Sequence, residues 1–160
     1  MILVSSCLLG NNVKYNGGNN GCKVLMNYAD CGCFIPICPE TFGRLPSPRP
    51  PAEIQGGTGE DVWSGAAKVT DKEGKDVTAE FKAGAEICLQ LLKKHHITAA
   101  ILKERSPSCG SKQIYDGRFS GGKITGQGVA AALLAAHGVK VYSEEDMTEE
   151  FLQDLIARDK

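Results

Sequence analysis

The chain has 160 residues, with 18 Lys and Arg against 19 Asp and Glu, a formal net charge of -1 and 42% hydrophobic residues. That length makes about one domain, able to bury roughly 68–70% of the surface its unfolded form exposes. The balanced charge excludes an overall field that would draw the protein to nucleic acid or an anionic membrane, and favours a small, locally recognised partner.

The opening Met1-Ile2-Leu3-Val4 is a short apolar run without a basic region or a small-residue cleavage site, so it is read as a strand and not as a signal peptide. No stretch approaches the ~20 apolar residues of a membrane helix, and a cytoplasmic setting is expected. Ile2 to Ser5 has the form of a buried parallel strand, with Cys7 directly after it. Cys22 to Asp30 reads weakly as a helix. Phe34 to Ile37 is a second buried strand, followed at once by Cys38-Pro39-Glu40. Gly43 to Gly59 reads as a loop, stiffened by Pro46, Pro48, Pro50 and Pro51 and loosened by Gly56, Gly57 and Gly59. A loop of that length inside a compact domain points to function.

Val69 to Val77 reads as a hairpin turning at Glu73-Gly74. Thr78, as N-cap, opens the clearest helix, which runs to His95 with Phe81, Ala85, Cys88, Leu89 and Leu92 on one buried face. Cys88 is thereby a core residue. Thr98 to Leu102 is a third buried strand, with Cys109 in the turn beyond it, and Tyr115 to Phe119 is a small hairpin around Asp116-Gly117. Gly126 to Gly138 is a small-residue helix closed by Gly138. Val139 to Tyr142 is a fourth strand, and residues 148–158 form a C-terminal surface helix with an acidic first turn. His95, His96 and His137 fall at helix ends, where the helix dipole accounts for them better than metal ligation.

Strands alternating with helices predict an α/β fold: an open, mostly parallel, Rossmann-like sheet with helices on both faces, in a single domain over 1–160 with a small β-hairpin excursion. In such sheets the carboxyl ends of the strands share one edge, where ligands bind. Cys7, Cys38 and Cys109 each follow a different predicted strand, so this fold would bring them together at that edge.

Seven cysteines in a chain read as cytoplasmic point to metal binding or catalysis ahead of a disulfide framework. Thiolates held close repel one another unless a cation offsets them, and they are soft ligands for zinc, cuprous ion and iron–sulfur clusters. Three protein ligands would leave a further metal position open, the condition for catalysis. Pro39 and Pro107 fix the backbone beside these cysteines, and Gly10 and Gly110 free it.

The segments SSCLLGNNVKYNGG, IPICPETFGRLPSPRPPAEI and ILKERSPSCGS resemble, in order, the three signature segments of the thiouracil desulfurase family, over about residues 4–141. The resemblance implies an α/β domain holding a 4Fe-4S cluster through three cysteines, with one iron open to substrate sulfur. By position, Cys7, Cys38 and Cys109 correspond to those ligands. The implied activity is an iron–sulfur-dependent, non-redox desulfuration of a thiolated pyrimidine such as 2-thiouracil, with sulfide released or passed to an acceptor. Glu40 is the candidate general base, with a turn-stabilising acceptor as its competing reading. Ser106 and Ser108 are candidates to hydrogen-bond the pyrimidine edge, or to hold the local turn. Lys103 is a candidate to offset negative charge. Arg49 is a candidate substrate clamp, or a partner for Glu53. Arg44 stands where the family pattern has a second glycine, and is placed as a residue that alters which substrates enter.

Cys22, Cys31 and Cys33 lie outside that pattern. Cys31-Gly32-Cys33 is too short a gap for a CxxC motif and reads as incidental loop thiols, a sulfur relay or a second metal site. From another class, Cys31, Cys33 and Cys38 would form a zinc site in a metal-binding or persulfide-carrying module without hydrolytic activity. Gly56-Gly57-Thr58-Gly59 gives a weaker reading as a phosphate loop, lacking the P-loop lysine.

Overall fold

A computed structural model describes residues 1–159. In chain order the elements are β1 (Ile2–Ser5), α1 (Lys23–Met26), β2 (Phe34–Ile37), α2 (Pro39–Phe42), β3 (Ala52–Gln55), α3 (Gly59–Ser64), β4 (Lys68–Asp71), α4 (Thr78–His95), β5 (Ala99–Leu102), β6 (Gln113–Tyr115), β7 (Lys123–Thr125), α5 (Val129–Ala136), β8 (Lys140–Ser143) and α6 (Glu149–Asp159). Short 3-10 turns occupy Ser6–Leu9 and Glu144–Asp146.

The main sheet has the order β2-β1-β5-β8, and every pairing in it is parallel. Every residue of the two central strands, β1 and β5, is buried. This follows from their continuous apolar runs, which suit strands covered on both faces. Edge strand β2 accommodates Pro36, whose missing N–H would break a central ladder.

Alternate residues face opposite sides of each strand. Leu3, Ala100 and Leu102 point to one side and pack with Cys88 and Leu92 of α4 and Ala131 and Leu134 of α5. Ile2, Val4, Ala99 and Ile101 point to the other and pack with Leu25 of α1 and Leu152 and Leu155 of α6. Cys88 is fully buried, as its helix face predicts. Both faces of the sheet are covered, which is the predicted architecture. Among the described residues no helix is long and apolar enough to cross a membrane.

A third apolar cluster lies beside the main sheet. Ile54 of β3, Val69 of β4 and Ile114 of β6 pack there on Val62, Phe81 and Val129 of α3, α4 and α5. It contains the main departure from the sequence reading. The loop expected over Gly43 to Gly59 includes β3, which pairs antiparallel with β4 from Ala52↔Asp71 to Gln55↔Lys68. Pro50 and Pro51 mask that strand because both are loop signals placed directly before it. The hairpin expected over Val69 to Val77 is present beside it: Asp71 N–H donates to the Lys75 carbonyl and Val77 N–H to the Val69 carbonyl, both at 2.9 Å, with Thr70 and Asp76 bridging between them. Ile54 and its neighbours on β3 are the main partner of β4.

Smaller corrections follow from tertiary contacts. The helix expected over Cys22 to Asp30 is the single turn α1, since Leu25 alone of that turn is buried. Thr78 is the first residue of α4 and not its cap, because its Oγ accepts from Val69 N–H at 2.9 Å. The small hairpin is wider than Tyr115 to Phe119, with β6 and β7 flanking a turn over 116–122. The helix predicted from Gly126 starts at Val129.

One packing detail sets the position of the site. A Cβ built on Gly84 would stand 1.7 Å from the Pro39 carbonyl oxygen, and one on Gly43 would stand 1.9 Å from that of Glu80. The short α2 therefore rests directly on the backbone of α4, which no side chain at either position would permit.

Candidate functional site

A cavity of about 470 Å³ opens at the carboxyl edge of the main sheet, where open α/β folds bind ligands. Three successive strand ends supply its sulfur. Cys7 comes from the 3-10 turn after β1, Cys38 from the N-cap of α2 after β2, and Cys109 from the turn after β5. Cys7, Cys38 and Cys109 are all free thiols. Asn20 Nδ2 donates to Cys7 Sγ at 3.6 Å, and the Ser108 hydroxyl stands 3.7 Å from Cys109 Sγ.

Burial dominates their electrostatics. Burial, then the neighbouring Cys7 and Cys38 sulfurs, push the Cys109 thiol up to about 12, against the opposing hydrogen bonds of Ser5 and Ser108. Burial is also the chief cause that raises Cys7, with Cys38 adding repulsion. Burial and mutual repulsion favour the neutral thiols of Cys7 and Cys109, and a cation placed among them would favour the thiolates. Cys88 lies behind the cavity, and burial raises its thiol far above the ordinary range, as expected of a core residue.

The turn that carries Cys109 is built on a buried carboxylate that sequence reasoning passed over. Glu104 is only 2% exposed. Its Oε1 accepts the N–H groups of Arg105, Ser111, Lys112 and Gln113 at 3.0–3.3 Å, and its Oε2 accepts from Ser111 Oγ at 2.8 Å. Burial pushes this carboxyl up, but the hydrogen bonds from Lys112, Ser111, Gln113 and Arg105 outweigh it and bring the value to about 2. The available signal was a charged residue one step beyond a fully apolar strand, followed by a turn whose amides need an acceptor. Ser106 Oγ completes the frame by accepting from Ser108 N–H at 3.2 Å and Cys109 N–H at 3.0 Å.

Glu40, Arg49, Lys103, Ser106 and Ser108 all line the same cavity as the three cysteines. Glu40 is held at both oxygens: Arg49 Nε donates to Oε1 at 3.0 Å and Ser108 Oγ to Oε2 at 2.9 Å. Ser106 Oγ lies 3.0 Å from Ser108 Oγ. Since the Ser108 proton serves the carboxylate, Ser106 is the donor of that pair, and the chain of protons runs from Ser106 through Ser108 to Glu40. Lys103 forms an ion pair with Glu144 at 2.9 Å, and its charge opposes the upward shift at Cys7.

Two expectations are corrected by these contacts. Arg49 pairs with Glu40 and not with Glu53, and its other nitrogens donate to the Pro46 and Val13 carbonyls at 3.0 Å and to Ser47 Oγ at 2.8 Å. The guanidinium so engaged holds the Glu40 carboxylate within the cavity that Arg49 itself lines. Arg44 is exposed and lies outside the cavity, in a shallow groove with Phe42, Ala83 and Glu86.

The remaining motifs do not converge on this edge. Cys31 and Cys33 form a disulfide, so they are not free loop thiols. They precede β2 while Cys38 follows it, and a strand of four residues separates its ends by roughly 13 Å. A zinc site from Cys31, Cys33 and Cys38 is thereby ruled out. The phosphate-loop reading also fails, because Asp61 Oδ2 already accepts Thr58 N–H at 2.8 Å and the Gln127 carbonyl accepts Gly59 N–H at 2.7 Å. His96 ends α4 in the left-handed region at φ 53°, and His137 Nδ1 lies 2.9 Å from the Leu133 carbonyl. Sequence reasoning also missed Glu53, Tyr15, Tyr115 and Phe119 as cavity residues. Tyr15 and Phe119 lie outside helices and strands, and Glu53 and Tyr115 lie in strands of four and three residues, so none of them carried a periodic signal.

Among the described residues no three His, Cys, Asp or Glu side chains converge on one ion position. The donor set of Cys7, Cys38 and Cys109 is soft and all-sulfur. It suits an iron–sulfur cluster, whose thiolates bind separate iron atoms, better than a single zinc.

A parallel α/β sheet that presents thiols from three strand ends, with a fixed carboxylate beside them, forms a sulfur-lined cavity. Residues 2–146 match the 2-thiouracil desulfurase family, and the chain belongs to that family. It is 48% identical over 149 residues to the uncharacterized protein YbbK of Bacillus subtilis (strain 168), covering 93% of this chain and 99% of that one. Among solved structures it is similar to the [4Fe-4S]-dependent thiouracil desulfidase TudS (DUF523Vcz), with a TM-score of 0.82 and 44% identity, covering 96% of this chain and 97% of that one.

Proposed function

We propose that the protein desulfurates a thiolated pyrimidine such as 2-thiouracil without net redox change, converting C=S and water to C=O and hydrogen sulfide. The observation that carries this reading is the meeting of Cys7, Cys38 and Cys109 with the doubly held Glu40 in one cavity. The 4Fe-4S dependence of the similar desulfidase supports the choice of cofactor. Cys7, Cys38 and Cys109 would hold the cluster, leaving one iron without a protein ligand. When bound, the cluster supplies a Lewis-acidic iron for the substrate sulfur.

The chain's own residues supply the rest. Glu40 takes a proton from the water that adds to the thiocarbonyl carbon. Arg49 fixes the direction of that carboxylate through Oε1, and acts as a positioning residue. Ser108 sits between Glu40 and Cys109, so the proton gained by Glu40 has a path toward the departing sulfur through its hydroxyl. Ser106 keeps Ser108 in that orientation. Lys103 offsets part of the negative charge beside Cys7. Sulfide leaves to solvent or to an acceptor, in a cytoplasmic setting.

The test is anaerobic reconstitution followed by iron and acid-labile sulfide analysis, then incubation with 2-thiouracil. The expected result is brown protein with broad absorption near ~400 nm that forms uracil and sulfide in equal amounts. Colourless protein that binds one zinc and releases no sulfide would overturn the proposal in favour of a metal-binding module.

A further inference from the structure

The cavity has an aromatic side that the chemistry above does not use. Tyr15, Tyr115 and Phe119 all line it, and none of them belongs to any of the three apolar clusters that hold the fold together. Tyr28, Tyr142, Phe34, Phe42, Phe81 and Phe151 do pack in those clusters, so the aromatics of this chain divide between core and cavity. A large ring kept half-open at a binding cavity needs a reason other than packing.

Phe119 also sits at φ 55°, in the left-handed region that a bulky residue avoids unless its surroundings impose it. The surroundings here are β3. Glu53 Oε1 accepts the N–H groups of Gly117 at 2.9 Å and Phe119 at 3.2 Å, and Gln55 Nε2 donates to the Gly117 carbonyl at 2.7 Å. Glu53 and Gln55 are two apart on one strand and so share a face. A Cβ built on Gly117 would stand 2.7 Å from the Ile54 carbonyl oxygen, so the turn is pressed against the strand as closely as backbone allows. Glu53 is 8% exposed and lines the cavity itself.

We infer that Phe119 is the ring on which a planar heteroaromatic substrate stacks, and that Glu53 is the positioning residue that holds the 116–122 turn so that this ring faces the cavity. The inference rests on the thiopyrimidine reading and adds to it how the substrate ring is oriented. A planar ring gripped at its face leaves its edge, where the thiocarbonyl lies, free to point at the cysteines and Glu40. It also explains why two backbone amides of an exposed turn are tied to a buried carboxylate.

The test is equilibrium binding of uracil and of 2-thiouracil to anaerobically prepared holoprotein by calorimetry, with steady-state sulfide release measured per iron. Phe119→Ala should weaken binding by about 5- to 150-fold, the range for a base on an aromatic side chain. KM should rise by more than kcat per iron falls, and Phe119→Tyr should restore binding. Glu53→Ala should weaken binding similarly, and adding Phe119→Ala to it should cost little more, because both changes remove one device. Glu53→Gln retains an acceptor oxygen and should recover most of the affinity. Gln55→Ala removes the second pin and serves if Glu53→Ala does not fold.

If wild-type releases sulfide while Phe119→Ala binds both pyrimidines as wild-type does, the stacking role is overturned and the reaction stands. If wild-type releases no sulfide while Phe119→Ala loses uracil affinity, the reaction assignment fails and the stacking role stands. Failure of wild-type to bind either pyrimidine overturns both.

Discussion

Ser108 Oγ donates to Glu40 Oε2 at 2.9 Å across 68 positions of sequence. The bond joins the turn after β5 to the helix after β2, and so couples two of the three cysteine-bearing segments through a side-chain contact. Arg49 holds the other oxygen at 3.0 Å. A carboxylate fixed at both oxygens has little freedom to reorient, which suits a base that must meet water at one place.

The first expectation separates ligand cysteines from packing cysteines. Cys7→Ser, Cys38→Ser and Cys109→Ser should each abolish cluster assembly, because a hydroxyl is a hard donor at a soft site. Cys88→Ser should keep full iron content and lose about 1–3 kcal/mol of stability, since it buries an unpartnered hydroxyl against the sheet. Iron per chain after reconstitution, with chemical denaturation alongside, decides it. A Cys109→Ser protein with full iron would remove Cys109 from the ligand set.

The contact of α2 on α4 makes a glycine outside the cavity essential to it. Alanine is the better helix former by about 1 kcal/mol, but at Gly84 its Cβ would fall 1.7 Å from the Pro39 carbonyl oxygen. The clash wins, because backbone must move to relieve it. Gly84→Ala should lose about 1–3 kcal/mol and also iron, as α2 carries Cys38 and Glu40 outward with it. Retention of wild-type stability and iron content would show that α2 is not so seated.

Glu104 gives a pH dependence whose sign is fixed. Its carboxyl falls from 4.5 to about 2 on folding, so its stabilisation is complete above the unfolded value and is lost as pH falls toward 2. Allowing for solvent screening, that amounts to about 2 kcal/mol. Glu104→Gln should be destabilised by a similar amount at pH 7, because four N–H donors lose a charged acceptor. Denaturant midpoints measured from pH 5 down to pH 2.5 should fall less steeply for the variant than for wild-type. Parallel curves would mean that Glu104 is not the acid-sensitive group.

These residues also show which parts of the molecule were legible in the chain. β1 and β5 were plain because buried parallel strands are written as unbroken apolar runs; β2 was legible from the same kind of run but is a half-exposed edge strand with only Ile37 buried, and the cysteines at the three strand ends could be placed on one edge by topology alone. Glu40, Ser106 and Ser108 were found beside those cysteines by adjacency in sequence. Contacts between distant segments left no such trace: the pairing of Arg49 with Glu40, the role of Glu104 under its turn, and the pinning of the 116–122 turn by Glu53 depend on how separate segments meet. β3 was hidden for a local reason, as Pro50 and Pro51 ended one kind of structure just where the strand began another.

The final expectation concerns Glu40 and separates chemistry from support. Glu40→Gln keeps the size of the side chain and leaves Cys7, Cys38 and Cys109 unchanged, so cluster content and affinity for 2-thiouracil should stay near wild-type. The amide cannot take a proton from water, and sulfide release per iron should fall by roughly 10²–10⁴-fold, the usual contribution of a positioned base. Ser108→Ala should lower the rate less, because Arg49 still holds the carboxylate at Oε1. A Glu40 that only braced α2 would give the opposite pattern, with iron lost and the remaining holoprotein turning over normally. The measurement is anaerobic, with uracil and sulfide quantified together and each divided by bound iron. Near wild-type turnover per iron in Glu40→Gln would take Glu40 out of the chemistry and pass the proton to the Ser106–Ser108 pair.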